Sequence, residues 1–171
     1  MKIYNIVVIL LLAFVMFPLT SYAQECNEIN YLKPLIAEHN LPTLRGRLIS
    51  RGDNYRAYIS EYVLPNSDEC EITIYKPDQS QPLGHVYECV WNLPEKDADL
   101  ARSVLIQSLE LCGLTVTKTR EGTHSIYTLF SEETIQGSIE HITAIKVSLK
   151  SRVDRYGNQE LKFEASHDDW R

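Results

Sequence analysis

Cys70 and Cys89 each stand inside a run of alternating apolar and polar residues, and that double alternation constrains the fold more than any other feature of the chain. In the first run Cys70, Ile72 and Ile74 point one way and Glu71, Thr73 and Tyr75 the other. In the second, His85, Tyr87, Cys89 and Trp91 share one side, with Val86, Glu88 and Val90 opposite. If Cys70 lies across from Cys89, then Ile72 meets Tyr87 and Ile74 meets His85. Both cysteines then sit on one apolar face. A slip of one residue would split them between faces, so the pattern selects this register.

The hairpin leads directly into a helix expected over about 95–112. Pro94 stands at its start and Glu95, Asp97 and Asp99 in its opening turns, where the helix dipole favours negative charge. Ala101, Val104, Leu105, Ser108, Leu111 and Cys112 form the expected buried stripe, and Gly113 closes the helix. From residue 97 to residue 112 such a helix is about 24 Å long. Folding back over its hairpin, it would bring its far end near the 76–84 loop and carry Cys112 away from Cys89. A bridge tolerates a Cα separation of only about 7 Å. Of the three possible pairings, the spacing therefore favours Cys70–Cys89 and Cys26–Cys112.

All four cysteines follow an apolar leader. Residues 1–23 carry one charge, Lys2, then IVVILLLAFVMF and the small-residue end Ser21-Tyr22-Ala23. This is the pattern of a cleaved signal peptide, leaving 24–171 as a single domain. Glu25 before Cys26 argues against a lipid-modified cysteine. An even cysteine count after such a leader fits two disulfides in an oxidising compartment. The sequence carries no Asn-x-Ser/Thr sequon, which tilts the expectation to a bacterial periplasm rather than a eukaryotic secretory route.

Of 17 basic residues one, Lys2, lies in the leader, while all 23 acidic residues follow it, so the net charge moves from −6 to −7 on cleavage. An acidic chain with no basic run is a poor ligand for nucleic acid or an anionic membrane and would be drawn to basic partners.

Before the cysteine hairpin, Ile29, Leu32, Leu35 and Ile36 suggest a short helix, with Pro34 tolerated if the helix begins near Leu32. LRGRLIS and NYRAYISEYVL then flank the turn Arg51-Gly52-Asp53-Asn54. The second arm places Ala57, Ile59 and Val63 on an apolar face and Tyr58, Ser60 and Tyr62 on the other. The Arg-Gly-Asp tripeptide also matches a cell-adhesion signal, but a tight turn needs the same residues. After the long helix, LTVTKTR and SIYTLFS read as strands, SEETIQGSIEH as a loop or single helical turn, and HITAIKVSLKSRV with QELKFEAS as a last hairpin. The expected fold is α+β: an antiparallel sheet of sequential hairpins with one long helix packed on it, a short N-terminal helix and two disulfide staples. No internal repeat is visible.

Catalytic patterns are missing. Two disulfides leave no thiolate, there is no Cys-x-x-Cys, and no Gly-x-Ser-x-Gly elbow or Gly-rich phosphate loop occurs. His39, His85, His124, His141 and His167 show no metal-ligand spacing, and His167-Asp168-Asp169 is at most a weak one. The paired carboxylates Glu132-Glu133 and Asp168-Asp169 carry no sign of a cleft. No cofactor or metal is expected. What stands out is surface tyrosine beside acid, and the candidate contact residues are Tyr58, Glu61, Tyr62 and Asp53 on the 43–64 hairpin. The sequence thus points to an exported, non-enzymatic binding protein. Its expected role is that of an immunity or inhibitor protein occluding a basic hydrolase or toxin. An envelope assembly component is the alternative, and a small hydrolase a more distant one.

Overall fold

The computed structural model describes residues 26–77, 84–121, 124–135, 138–150 and 153–167; of 118–126 and 130–143 it describes the backbone alone. The leader over 1–23, most of the 76–84 loop and Asp168-Asp169 lie outside these residues. Helix α1 covers residues 26–37 and a single 3-10 turn covers Leu41–Leu44. Four strands follow: β1 (Arg45–Arg51), β2 (Tyr55–Ser60), β3 (Glu69–Tyr75) and β4 (Gly84–Pro94). Helix α2 (Glu95–Leu111) leads to β5 (Thr115–Glu121), β6 (His124–Ile135), β7 (Ser138–Leu149) and β8 (Asn158–His167).

All eight strands form one antiparallel sheet in the order β1-β2-β3-β4-β8-β7-β6-β5. The α+β fold class expected from the sequence is therefore present, with one change of plan. The hairpins are sequential within each half, but α2 carries the chain to the far edge, and the second meander runs back until β8 pairs with β4. A helix followed by four meandering strands occurs twice, although no repeat shows in the sequence. The two halves share a topology while their packing contacts are made by different residues.

The β3–β4 register is the one strand parity selects: Cys70 pairs with Cys89, Ile72 with Tyr87 and Ile74 with His85. β8 continues the apolar side with Leu161, Phe163 and Ala165, in register with Trp91, Cys89 and Tyr87. β7 adds Ile145, Val147 and Leu149. Both helices lie on this side: Ile29, Leu32 and Ile36 of α1 and Ala98, Ile106 and Leu109 of α2 share one core with these strand residues. Tyr87 is fully buried; its hydroxyl donates to the Tyr62 carbonyl at 3.1 Å, and its ring meets Phe163 edge-on. The Trp91 indole donates to the Pro65 carbonyl at 3.2 Å, closing the loop between β2 and β3 over the core.

The disulfides are Cys26–Cys112 and Cys70–Cys89, with Cα separations of 5.2 and 4.2 Å. They place the protein in an oxidising compartment outside the cytoplasm. Among the described residues no helix is long and apolar enough to cross a membrane. The pairing agrees with the sequence argument, but the path of α2 does not. The helix packs against β4, β7 and β8 instead of retracing the β3–β4 hairpin. Its far end meets the start of α1, whereas the end of α1 brings His39 beside His85. About 18 Å of α1 separates those two points.

Four further local expectations are corrected. Helix α1 begins at residue 26 and runs through Pro34; the Cys26 staple and the buried Ile29, Leu32 and Ile36 offset the hydrogen bond that proline removes. Val104 and Leu111 are exposed, at 40% and 65%. The inner face of α2 belongs to Ala98, Ile106, Ser108 and Leu109, because the helix is rotated toward β7 and β8. Residues 131–141 form no loop: β6 continues to Ile135 and β7 starts at Ser138, one long hairpin whose pairing shifts register between Ser131 and Glu132. In β2, Tyr58 pairs with Ile72 and so faces the helices, while Ala57 and Ile59 pair with Thr73 and Glu71 on the other side, inverting the expected faces. At the turn before β2 there is little room, since a Cβ on Gly52 would meet the Tyr55 ring and a larger residue there would have to displace that side chain.

Candidate functional site

The side of the sheet that faces away from both helices carries three rows of side chains running across the strands. The first joins Tyr55 to Tyr75, whose ring centroids are 6.3 Å apart. The second is small and low: Ala57, Thr73, Val86, Ser166 and Ala144 lie in cross-strand register. Ala57, Val86 and Ala144 are buried yet stand apart from the core cluster beneath the helices. The third row runs Ile59, Glu71, Glu88, Glu164, Lys146. Three carboxylates thus stand side by side on β3, β4 and β8, with Glu69 two residues along from Glu71.

This crowding is only partly neutralised. Lys162 reaches Glu88 at 2.6 Å and Glu164 at 3.2 Å, and Lys146 lies 3.5 Å from Glu164. Burial pulls the Lys162 ammonium down, but hydrogen bonds and attraction from Glu88 and Glu164 outweigh it and hold its pKa above the ordinary value. For Glu71 the balance is reversed. Burial, then the like charges of Glu69 and Glu88, raise its pKa against a weaker pull from Lys162. Burial, followed by the Glu164 charge, likewise lifts the Tyr75 phenol.

An acid whose pKa rises on folding binds its proton more tightly when folded, so its contribution to stability falls as pH climbs from the ordinary value of 4.5 through the folded value. Charged Glu71 is therefore a cost at neutral pH. Glu71→Gln is expected to stabilise the protein at pH 7 by only about 0.2–0.5 kcal/mol, because Glu71 is only partly buried and solvent screens the repulsion from Glu69 and Glu88. The gain should vanish near pH 4, where Glu71 is protonated. Urea midpoints at the two pH values check this; a loss of stability at pH 7 would refute it.

The residues singled out in the sequence are not gathered in one place. Asp53 caps the tip of the β1–β2 hairpin, where Lys76 donates to its backbone carbonyl at 2.6 Å. Glu61 is exposed beyond the other end of β2, roughly 20 Å away at the rise of an extended strand. Tyr58 is half-buried on the helix side with the Arg45 guanidinium over its ring at 5.8 Å. Tyr62 is half-buried too, its ring 4.7 Å from Tyr31 and 6.4 Å from Tyr87, where it helps seat α1. Strand parity had already put Glu71, Tyr75 and Glu88 on the side away from the cysteines. What could not be read was that β8 would bring Glu164 and Lys162 beside them, because β4–β8 pairing joins segments distant in sequence.

A second cluster also escaped the sequence. His39 ends α1 with a left-handed φ of 56°, and its ring lies 4.7 Å from that of His167 at the end of β8 and 6.2 Å from that of His85 at the start of β4. Burial, then the neighbouring His39, hold the His85 pKa below the usual imidazole value, against the opposing effect of a hydrogen bond that the His85 ring donates to the His39 backbone carbonyl. The His39 and His167 rings are nearly parallel, at 23°, and among the described residues no His, Cys, Asp or Glu group is arranged to hold a metal ion.

Comparison with known proteins yields no match: no family model fits the chain, and no curated protein or solved structure is significantly similar to it.

Proposed function

We propose that this is an exported, non-enzymatic binding protein, working in a bacterial periplasm, that covers a basic surface of a partner protein with the face of its sheet turned away from the helices. The observation that carries the reading is the Glu71–Glu88–Glu164 row, extended by Glu69 and flanked by the Tyr55–Tyr75 pair. Carboxylates steer and orient a cationic partner, and tyrosine supplies packing area with a polar tip. Eight paired strands with two disulfides offer this surface on a rigid frame, so little ordering entropy is lost on binding. An immunity or inhibitor role, in which the face occludes the cleft of a basic cell-wall hydrolase or toxin, follows from the same complementarity.

The test uses a panel of purified basic exported hydrolases, with binding and residual activity measured at low and at moderate salt. At least one is expected to bind and lose activity, with affinity falling at least tenfold in Glu69→Gln/Glu71→Gln. Neither residue forms a described salt bridge, so that variant should keep its fold. Binding that is insensitive to both the variant and the salt would overturn the proposed surface. Failure of every basic partner to bind at low salt would overturn the function.

A further inference from the structure

Helix α2 has a second apolar stripe, turned away from the core. Leu100, Val104 and Leu111 are exposed at 67%, 40% and 65%, while Ala98 and Leu109 on the opposite side are buried. Their spacing is that of a heptad seam: Val104 and Leu111 recur at seven residues, with Leu100 and Gln107 at the intervening positions. Lys96, Ser103 and Glu110 repeat at seven residues along one flank, and all three are exposed. The two charges therefore sit two heptads apart with opposite sign.

We propose that this stripe is a self-association surface, on which α2 of a second copy packs antiparallel. In an antiparallel pair, flanking positions on the same side face one another across the two-fold axis. With Ser103 at the axis, Lys96 of each copy meets Glu110 of the other, and Leu100 of each packs on Val104 of the other. A parallel arrangement would instead set Lys96 against Ala101 of the other copy and leave Glu110 opposite residue 115, beyond the end of α2, so neither charge would meet an opposite one. The charge pattern thus names a second copy of this chain, in one orientation. Because α2 lies on the side of the sheet opposite the acidic row, the dimer leaves both acidic faces outward, and the protein can engage two partners at once.

The seam is short, so the dimer is weak and concentration-dependent, with dissociation on the order of tens of micromolar for so small an interface. Sedimentation equilibrium of the purified, disulfide-bonded protein, from about ten micromolar to about one millimolar around that value, reads it directly. Lys96→Glu is expected to weaken association at least tenfold, and Lys96→Glu/Glu110→Lys to restore it to within about threefold, as reciprocal charges do at a coiled-coil seam. Leu100→Glu/Leu111→Glu should abolish it without changing the melting curve, since both side chains are exposed in the monomer. A protein that stays monomeric across the range overturns the proposal, as does a dimer indifferent to the leucine changes. A dimer that the charge swap fails to restore overturns the antiparallel register.

Discussion

Replacing Cys26 and Cys112 together by serine is expected to lower the unfolding free energy by roughly 4–5 kcal/mol. The bridge spans 86 residues of chain, and closing a loop of that length removes this much conformational freedom from the unfolded state in the chain-entropy account. Domains of this size are held by about 5–15 kcal/mol in total, so the loss takes a large share. The Cys70–Cys89 bridge spans 19 residues and is expected to contribute about 3 kcal/mol by the same reasoning. Its loop lies inside the larger one, so removing both should cost less than the sum. Urea unfolding of the three variants checks the order; a Cys26→Ser/Cys112→Ser protein as stable as the parent would refute it. That variant also frees the start of α1, and protease cleavage should appear first around residues 26–37.

Phe163→Ala is expected to cost about 3–5 kcal/mol, the range for emptying a buried aromatic site. Phe163 is fully buried, pairs with Cys89 on one side and Val147 on the other, and meets the Tyr87 ring edge-on. It sits on the strand that joins the two meanders, beneath both helices. If the halves fold as one unit, the variant unfolds in a single transition at a lower urea midpoint. Two separated transitions, or a loss under about 1 kcal/mol, would show that β8 does not carry the joint core.

How much of this could be read from the chain differs from element to element. The Cys70–Cys89 register was legible because a period of two leaves no freedom once both cysteines must share an apolar face. The existence of α2 was legible from its acidic start and Gly113 end, but its rotation was not. Val104 and Leu111 fit an apolar stripe as well as Ile106 and Leu109 do, and only the sheet beneath decides which stripe is buried. Pro34 warned against a helix that a disulfide and three buried side chains sustain. Residues 131–141 look like a loop alone and become strand through pairing with each other.

The candidate surface divides in the same way. Alternation in β3 and β4 placed Glu71, Tyr75 and Glu88 opposite the cysteines, and composition supplied the acidic balance. The amino-acid sequence by itself thus determined the α+β class, the disulfide pairing and the parity of the central hairpin, because these rest on local periodicity and on which residues can be bridged. Tertiary structure alone decided that β8 lies beside β4, that Glu164 and Lys162 complete the acidic row, that three histidines meet, and that α2 keeps one leucine stripe outside. Those outcomes depend on pairing between distant segments, whose free energy is shared over the whole sheet and leaves no local pattern to read.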